Sequence, residues 1–400
     1  MATKKLFDAD AYLCEFDAEV VACEKAEGKE GIYKLVLEET AFFPEAGGQS
    51  PDKGIIHLAE DKEKAAEVVD VQIDKENIIY HYVDKEFEKG SKVHGILDFE
   101  HRYSHMQQHT GEHIYSGLVN KLKGYNNVGF HLSDSIVTMD YDGVLTMDEV
   151  RSIEKMANDC IYKNLDVLCE FPSEEELKNI KYRSKKELSG DIRIVTIPGY
   201  DVCACCAPHV HKTGEVGILK VMSCENYKGG VRLSILCGSR ALEAFSNKQD
   251  SLSEVAHILE CSQESAAENT RRIMNEVSRL KGELAAARTE LMNSKIEAVE
   301  KSLENVIMFT EAVPANIIRN AVNKLVAEHA GICAIFNGND EEGYQYIIGS
   351  AQKDVREAGN LLKEKFNARG GGSPKMVQGS VQAGSSQIKE VLGITYHITE

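Results

Sequence analysis

Two pairs of metal-ligand side chains, far apart in the sequence, place the strongest constraint on how this chain folds. His109 and His113 are four residues apart in a helix-like segment, and Cys205 and His209 have the same spacing in a turn-like segment. Histidines at positions i and i+4 of a helix point from the same face, so both imidazoles can reach one ion. Cysteine and histidine complete the nitrogen and sulfur set that zinc prefers. A fold that joins the two pairs would create a zinc site, which makes a water-activating enzyme a hypothesis.

The composition is that of a globular protein. The chain has 400 residues, enough for two or three domains, and 42% of them are hydrophobic. No apolar stretch is long enough to cross a bilayer, and Met1–Lys5 lacks the apolar core of a signal peptide, so we expect a cytoplasmic protein without a membrane partner. Eleven irregularly spaced cysteines include the cluster Cys203–Cys206. In the cytosol such a cluster favours metal binding over a disulfide framework.

The net charge of -18 argues against unspecific adhesion to nucleic acid. A local basic patch can still bind RNA, and the chain offers two candidates. The first is Lys178 with the run 181–186, and the second is Lys121 with Lys123. The simpler interpretation of both is a solvated helix end or loop. The patches are therefore compatible with an RNA partner but do not identify one.

Hydrophobic periodicity divides the chain into four regions. Residues 1–92 hold short alternating segments between glycine and proline turns and predict a small β-barrel or sandwich. Residues 93–248 mix helical and strand patterns. Residues 249–308 contain no proline and predict a long helix, either a coiled coil or a surface helix. Residues 309–400 alternate helices and strands, so the predicted fold class is α+β multidomain.

Several elements can be predicted individually. A helix over 100–123 carries His109 and His113, and a second helix runs from Met147 to Asn164 with Thr146 as its N-cap. Strands are predicted at 192–197, 214–221 and 231–236, so the Cys/His pair lies between strands. The glycine-rich segment 370–379 predicts a backbone-exposing loop.

The ligand spacing leaves alternatives open. Cys203 and Cys206 form a CxxC pair, and His211 is a spare imidazole, so spacing only favours Cys205. The segment 109–113 also matches the inverted zincin pattern HxxEH, in which Glu112 would be the general base of a peptidase. A zincin uses a carboxylate as third ligand and has no need of a Cys/His pair. A third alternative is an RNA-binding module in which zinc is only structural.

A second constellation lies in the segment 40–49. Gly47 and Gly48 let backbone N–H groups approach a ligand closely. Thr40 and Gln49 add a hydroxyl and an amide at the edges of this segment, while the aromatic pair between them includes a core residue. Together with a zinc ion, such a pocket suits a small polar substrate.

At these residues the chain resembles the alanyl-tRNA editing proteins of the AlaX family, and the matching editing and C-terminal domains of alanyl-tRNA synthetase. The resemblance spans nearly the whole chain and rests on four motifs in the family's order. They are the Phe-rich GGQ segment 42–49, the helix 105–113, the CxxxH segment 205–209 and the glycine-rich segment 370–379.

The resemblance implies a zinc ion, one per chain, bound by His109, His113, Cys205 and His209. It implies an N-terminal β-barrel (1–92), a two-layer α/β editing domain (93–248), a long helical hairpin or coiled coil (249–308) and a C-terminal DHHA1-type domain (309–400). The implied activity is hydrolysis of the ester in tRNA(Ala) mischarged with serine, and in some members with glycine. The implied partner is this tRNA. The C-terminal domain is expected either to contact tRNA or to mediate a homodimer through the long helix, and the sequence does not choose between the two. Because no class II catalytic domain precedes the editing region, we expect no aminoacylation.

Three departures from the family pattern concern the pocket. Residues 206–208 are Cys-Ala-Pro where Gly-Gly-Thr is usual, Ala46 replaces a frequent glycine, and Phe43 replaces a frequent tyrosine. They affect expectations for substrate preference more than for zinc binding. Within the pocket we expect Thr40 to recognise the serine hydroxyl, with Gly47, Gly48 and Gln49 beside it. Glu112 is expected to be an outer partner of the metal site.

Overall fold

The computed structural model describes residues 2–184 and 192–393. The chain forms two compact units, one up to Ser251 and the other from Leu252. The mixed α/β, multidomain architecture is therefore confirmed, while the four regional boundaries stay predictions. None of the described helices combines the length and the apolar character needed to span a membrane.

The first unit begins with a closed barrel of six antiparallel strands. The strands of this region are β1 Lys4–Lys5, β2 Glu15–Lys25, β3 Tyr33–Leu37, β4 Glu39–Thr40, β5 Gly54–Leu58, β6 Asp61–Ile73, β7 Ile79–Val83 and β8 Lys92–Leu97. The barrel order is β2-β3-β7-β6-β5-β8, and β1 pairs with β4 outside it. Alternate residues such as Leu35, Ile56 and Val68 fill the interior, as period-two patterning predicts. The predicted β-barrel is confirmed.

One polar side chain lies in this apolar interior. His81 on β7 is fully buried, and its ring nitrogens contact the Leu35 carbonyl at 3.2 Å and the Thr40 hydroxyl at 2.8 Å. Burial lowers the pKa of His81 from 6.5 to about 4. The folded barrel therefore contains a neutral imidazole near neutral pH.

We expect the free energy of unfolding of this unit to decrease as the pH falls from about 6.5 to about 4. In this window the unfolded chain protonates His81 and the folded chain does not, so the stability present above pH 6.5 is lost progressively. The full separation of the two pKa values corresponds to about 3 kcal/mol. Urea unfolding at pH 7 and pH 5 measures the slope, which His81→Gln should reduce and the exposed control His131→Gln should not. An unchanged slope in His81→Gln would contradict this assignment.

The longest helix of the first unit follows the barrel directly. Helix α1 (Phe99–Lys123) begins at Asp98, whose carboxylate accepts the His101 amide hydrogen at 3.1 Å. It ends at Gly124, whose left-handed backbone (φ 73°) caps the last turn. From His105 to Val119 every side chain is buried, including eight polar or charged ones. Because buried polar groups require partners, this helix is where a site is expected.

The rest of the first unit covers α1 with two antiparallel sheets and further helices. The four-stranded sheet has the order β14-β15-β10-β9, and the three-stranded sheet β11-β12-β13. The elements are β9 Asn127–Leu132, β10 Val137–Tyr141, α2 Met147–Tyr162, β11 Leu168–Glu170, α3 Glu174–Leu177, β12 Ile194–Ile197, β13 Asp201–Ala204, β14 Leu219–Tyr227, β15 Gly230–Cys237 and α4 Gly238–Ile258. The Thr146 N-cap of α2 is confirmed, because its hydroxyl accepts the Glu149 amide hydrogen. The core between these layers includes Ile114, Tyr115, Met139 and Ile153.

The strand predicted at 214–221 is wrong in its first half. Residues Thr213–Val216 form a turn of 3₁₀-helix, and β14 starts only at Leu219. The Glu215 carboxylate accepts the Lys212 amide hydrogen at 2.9 Å, which stabilises the tight turn. Gly217 then takes a positive φ of 75°, which a regular strand does not allow. A local cap and one glycine therefore override the strand pattern.

The second unit is built on a five-stranded sheet with the order β16-β17-β18-β20-β19. Its elements are α5 Ala266–Glu297, β16 Val306–Thr310, α6 Ala315–Glu328, β17 Cys333–Asn339, β18 Gly343–Gly349, α7 Arg356–Phe366, β19 Arg369–Ser373, β20 Met376–Val381 and α8 Ser385–Leu392. Strands β16 and β17 are parallel, and the other pairs are antiparallel. Helix α5 exposes a row of apolar side chains including Val277, Leu280 and Leu284. The coiled coil stays a prediction.

Two local predictions for this region are wrong. The long helix is interrupted, because Glu260 adopts a left-handed backbone (φ 50°) and Ser262 starts a new turn. The glycine-rich loop is a hairpin, in which Arg369–Ser373 pairs with Met376–Val381. A Cβ at Gly370 or Gly379 would lie 2.9 or 2.6 Å from the Tyr346 hydroxyl, so the glycines make room for that side chain. Glycine here serves close packing in a strand.

Candidate metal centre

The structure brings the two ligand pairs together. His109 and His113 lie one turn apart on α1, and Cys205 and His209 follow β13. One ligand atom from each of the four residues lies within 4.8 Å of the others. The Cys205 sulfur is 3.5 Å from Nε2 of His109 and 3.5 Å from Nε2 of His209. The three histidines are buried, and Cys205 is partly buried.

This donor set fits a tetrahedral zinc ion. With metal–nitrogen distances of about 2.0–2.1 Å and a metal–sulfur distance of about 2.3 Å, nitrogen and sulfur ligands of a tetrahedron lie about 3.5 Å apart. Both measured nitrogen–sulfur distances have this value. Three imidazoles and one thiol also match the chemical preference of zinc more closely than that of magnesium or calcium. The residues could therefore hold zinc.

Each imidazole has a partner on its other ring nitrogen. Nδ1 of His109 lies 2.7 Å from Oε1 of Gln49, Nδ1 of His113 lies 3.0 Å from Oδ2 of Asp201, and Nδ1 of His209 lies 3.0 Å from Oγ1 of Thr110. Outer acceptors of this kind fix the tautomer and orientation of ligand histidines. With Nδ1 donating in each case, Nε2 of each ring carries the lone pair that a metal ligand requires.

The partner of His113 is itself part of an ion pair. Arg183 donates from Nε to Oδ1 of Asp201 at 2.7 Å and from Nη2 to Oδ2 at 2.8 Å. Burial raises the pKa of Asp201, but the hydrogen bonds from His113 and Arg183 outweigh this and lower it. Burial lowers the pKa of His113, but the hydrogen bond to Asp201 and the neighbouring acidic groups together outweigh burial, so the pKa is raised. Asp201 is therefore an ionised acceptor behind His113.

Glu112 is fully buried beside the cluster. Its Oε1 accepts from the Ser116 hydroxyl at 2.6 Å and from the Asn127 amide at 2.6 Å. The Ser116 hydroxyl also contacts the Tyr141 hydroxyl at 2.7 Å. The other carboxylate oxygen of Glu112, Oε2, is 3.9 Å from Nε2 of His113. One Glu112 oxygen is thus fixed by hydrogen bonds and the other faces the cluster. The role of Glu112 as an outer partner of the metal site stays a prediction.

A tight turn brings Gln49 to His109. Gly47 and Gly48 have φ values of 62° and 87°, the pair of positive values that a two-residue hairpin turn requires. A Cβ on Gly48 would lie 2.4 Å from the Phe130 carbonyl oxygen, so the turn packs directly on β9. The Leu132 amide donates to the Gly48 carbonyl at 2.7 Å. These contacts place Gln49 with its amide oxygen at a predicted metal ligand.

The amide nitrogen of Gln49 has a different environment. It is buried, and within residues 2–184 and 192–393 it has no hydrogen-bond partner. An unpaired buried donor is costly, commonly about 1–3 kcal/mol, so such groups often serve a ligand. Gln49 therefore has one group for the metal site and one available for a substrate.

Thr40 lies elsewhere, at the end of the barrel. Its hydroxyl accepts the Phe42 amide hydrogen at 3.1 Å and contacts Nε2 of His81 at 2.8 Å. Because Nδ1 of His81 meets a carbonyl, which only accepts, the Thr40 hydroxyl donates to Nε2. The hydroxyl hydrogen is therefore already used inside the protein. Recognition of a substrate hydroxyl by Thr40 stays a prediction.

The other open ligand choices lie outside the four-residue cluster. The Cys206 side chain is exposed, with its sulfur 3.8 Å from the position a Cβ would take on Gly47. Cys203 is buried next to His113 and Asp201. The His211 ring stacks on Tyr12 with centroids 4.1 Å apart. The geometry thus favours Cys205, as the family resemblance implies.

Sequence reasoning missed Thr110, Asp201 and Arg183. Arg183 had been placed in a candidate RNA patch, but it is largely buried against Asp201. In the same patch Lys178 and Lys181 are exposed, whereas 185 and 186 lie outside the described residues. Of the second patch, Lys121 donates to the Gly199 carbonyl and Lys123 pairs with Glu149. Of these three residues, only Thr110 has a signal in the sequence, namely its position next to the predicted ligand His109.

Comparisons with known proteins agree with the motifs. The model "Threonyl and Alanyl tRNA synthetase second additional domain" matches residues 192–234, and the model "tRNA synthetases class II (A)" matches residues 8–101. The chain is similar to two alanine–tRNA ligases. The one from Ignicoccus hospitalis is 32% identical over 76% of this chain and 33% of the relative. The one from Pyrococcus furiosus is 28% identical over 95% of this chain and 42% of the relative. The chain thus spans less than half the length of these relatives. A crystal structure of the C-Ala domain from Aquifex aeolicus alanyl-tRNA synthetase matches with 21% sequence identity. The match covers 22% of this chain and 86% of that chain, with a TM-score of 0.18.

The chain is a class II aminoacyl-tRNA synthetase relative that carries the second additional domain. Alanine–tRNA ligases match the chain over most of its length, so it is related to alanyl-tRNA synthetase. The resemblance drawn from its motifs is confirmed.

Proposed function

We propose that the chain is a trans-editing hydrolase that deacylates tRNA(Ala) mischarged with serine, with glycine as a second substrate. The observation that carries this proposal is the four-residue donor cluster with Gln49 beside it. In the reaction, a water oxygen attacks the carbonyl carbon of the aminoacyl ester. The bond from that carbon to the terminal ribose oxygen breaks, and the ribose oxygen takes up a proton. The products are the free amino acid and uncharged tRNA.

A zinc ion on His109, His113, Cys205 and His209 would supply positive charge to polarise the ester or orient water. The other functions of the site are assigned to side chains of the protein. Thr110, Asp201 and Gln49 orient the imidazoles, and the carboxylate of Glu112 provides an acceptor on the side facing His113. Four protein ligands would form a closed site, so positioning of the substrate is the main task we assign to the pocket.

Gln49 is our candidate for the recognition of the substrate. Its amide hydrogens have no partner among the described residues, and its oxygen is fixed by His109. A donor held in this way can bond the serine hydroxyl or the ester carbonyl. A hydrogen-bonding site discriminates because a substrate that lacks the partner leaves the buried group unpaired. Alanine and glycine both lack the hydroxyl, so this hydrogen bond favours serine over either, in line with glycine as the second substrate.

The direct test is deacylation of three purified substrates. We expect rapid release of serine from Ser-tRNA(Ala), measurable release of glycine from Gly-tRNA(Ala), and sparing of Ala-tRNA(Ala). Equal cleavage of the serine and alanine esters, or cleavage of neither with zinc present, would refute the proposal.

The same preparation separates the two alternatives. An inverted-zincin-like peptidase would cleave casein, would lose that activity in Glu112→Gln and would tolerate Cys205→Ala. A zinc-stabilised RNA-binding module would bind tRNA without turnover, and His109→Ala would unfold it. The Cys205 sulfur lies between two histidine nitrogens. This position does not favour the peptidase or the RNA-binding module over the hydrolase.

A substitution at Gln49 tests its two groups separately. Gln49→Glu keeps an oxygen for His109 but removes the N–H donors, so zinc content should be unchanged. We expect kcat/KM for Ser-tRNA(Ala) to fall by about 10- to 100-fold, the loss of one hydrogen bond in a buried site. Gln345→Leu, on an exposed position of β18, is the matched control. Full activity in Gln49→Glu would show that the amide does not contact the substrate.

The remaining assignments are also proposals. Mischarged tRNA(Ala) is the proposed partner, with Lys178 and Lys181 as exposed contacts. A homodimer would use the exposed apolar row of α5 together with the C-terminal sheet domain. Light scattering measures the oligomeric state, and a monomer at all concentrations would contradict it. The proposed location is the cytoplasm.

A further inference from the structure

A second group of ligand side chains lies at the start of α1, apart from the four-residue cluster. His101 and His105 are one helical turn apart, and their ring centroids are 4.2 Å from each other. Asp134, in the turn between β9 and β10, faces both rings. One ligand atom from each residue lies within 4.8 Å of the others. The proposed function uses none of the three.

The tautomer of His105 is determined by its neighbour. Its Nδ1 is 2.8 Å from the His101 carbonyl oxygen. A carbonyl only accepts, so Nδ1 carries the hydrogen and Nε2 presents a lone pair. Nε2 is 3.6 Å from Oδ1 of Asp134, is buried, and has no hydrogen-bond partner within the described ranges. A nitrogen lone pair and a carboxylate oxygen therefore face each other, which is unfavourable unless a cation lies between them.

A proton does not meet this requirement near neutral pH. Burial and the neighbouring His101 lower the pKa of His105 to about 4. Burial raises the pKa of Asp134, but hydrogen bonds from Lys53 and His101 outweigh it and lower the pKa to about 2. Both groups are therefore acceptors at pH 7. The pair is arranged for a cation other than hydrogen.

We propose that His101, His105 and Asp134 bind a divalent transition-metal ion such as Ni²⁺, Co²⁺ or Zn²⁺. Two imidazole nitrogens and one carboxylate oxygen are ligands that such ions accept. His101 contacts the same Oδ1 through Nε2 at 2.8 Å, and its Nδ1 is buried without a partner in the described part of the chain. To bind metal, His101 shifts its hydrogen from Nε2 to Nδ1 by exchange with water, so the ring stays neutral. The half-exposed Asp134 side chain gives the ion access from solvent.

Two cationic side chains lie close to the proposed metal site and limit its affinity for a divalent ion. The Lys53 ammonium is 2.5 Å from Oδ2 of Asp134, not from the proposed ligand oxygen, and about half of the Lys53 side chain is exposed. Arg240 is held by the Ser104 hydroxyl at 2.7 Å and the Ser133 carbonyl at 2.7 Å. Their charges weaken the binding of a dication without occupying the ligand atoms. We therefore infer a site of moderate affinity.

The position of the ion indicates a structural role. Asp134 follows β9, and Leu132 of β9 bonds the backbone of Gly48 and Ser50. An ion on His101, His105 and Asp134 would tie the first turn of α1 to the strand that supports the glycine turn. It would act on the geometry around Gln49 without contacting substrate.

Nickel titration of the zinc-loaded full chain tests the site by calorimetry and metal analysis. The wild type should bind one Ni²⁺ beyond the zinc of the main cluster. His105→Gln should weaken this Ni²⁺ binding by at least roughly tenfold. His257→Gln, which removes an exposed histidine of α4, should retain it. No additional Ni²⁺ in the wild type, or an additional Ni²⁺ unaffected by His105→Gln, would overturn the proposal.

Two exposed positions keep the test independent of folding. Asp134→Asn removes the charged ligand and should also weaken Ni²⁺ binding by roughly tenfold or more. Lys53→Gln removes the competing ammonium and should tighten it by roughly two- to fivefold, as expected for an exposed ion pair. Unchanged affinity in both variants would equally overturn the proposal. Because the readout is bound nickel, the result does not depend on the proposed deacylation.

Discussion

Zinc is expected to be lost from Cys205→Ser, and deacylation of Ser-tRNA(Ala) with it. Four ligands share an apparent binding free energy of about 10–16 kcal/mol, so the loss of one should weaken zinc binding on the order of 10²- to 10³-fold. The thiolate is also the only charged ligand of the set, since the three imidazoles bind as neutral groups. Competition with a chelator measures the affinity, and single-turnover deacylation measures the activity.

The neighbouring cysteine provides the matched control. Cys206 differs from Cys205 by one position, yet its side chain is exposed and outside the cluster. Cys206→Ala should therefore keep its zinc. If Cys206→Ala lost the metal and Cys205→Ser kept it, the ligand assignment would be wrong. A change of serine against glycine preference in Cys206→Ala would reveal a contact of residues 206–208 with the substrate.

The largest loss of stability is expected from Arg102→Met. Arg102 is fully buried, and its Nε donates to Oδ1 of Asp52 at 2.9 Å. Its terminal nitrogens donate to the carbonyls of Ala11 at 2.8 Å and Ala41 at 2.6 Å. Removal would leave a buried carboxylate and two carbonyls without these donors. Such a change typically costs about 3–5 kcal/mol.

Unfolding in urea, followed by circular dichroism, measures this loss. The two compact units need not unfold together, so the transition of the first unit is the relevant one. Arg232→Met is the control, because Arg232 forms a similar two-point pair with Asp140 near the surface and should lose less than about 1 kcal/mol. Asp52→Leu combined with Arg102→Met should recover part of the stability, since no buried charge remains. Equal losses for the two arginines would contradict the role of burial.

The sequence predicted best those features that depend on neighbouring residues. Alternation in segments such as Ile32–Leu37 revealed the barrel, and the Thr146 cap revealed the start of α2. The i, i+4 spacing of His109 and His113 was sufficient to place both on one helix face. Local pattern and local structure agree wherever the native contacts are themselves local.

The partners behind the ligands could not be found in this way. Asp201 meets His113 only because β13 passes beside α1, a contact between residues 88 positions apart. Glu260 interrupts a helical pattern through one left-handed backbone angle that composition does not encode. Thr40 seemed available for a substrate, but its hydroxyl hydrogen is used by His81, 41 positions away. For Asp201 and Thr40, a long-range contact determines the outcome.

The separation of the two ligand pairs also has a consequence for how the protein matures. His109 and Cys205 are 96 positions apart, so during synthesis α1 emerges and can fold well before the second pair exists. At the proposed zinc site, such a nascent chain has only His109 and His113, and the other two ligands arrive after several further elements have packed. Tight zinc binding at this site, as proposed, would then come late in the folding of the first unit. Chains that end before β13 would lack two of the four proposed ligands.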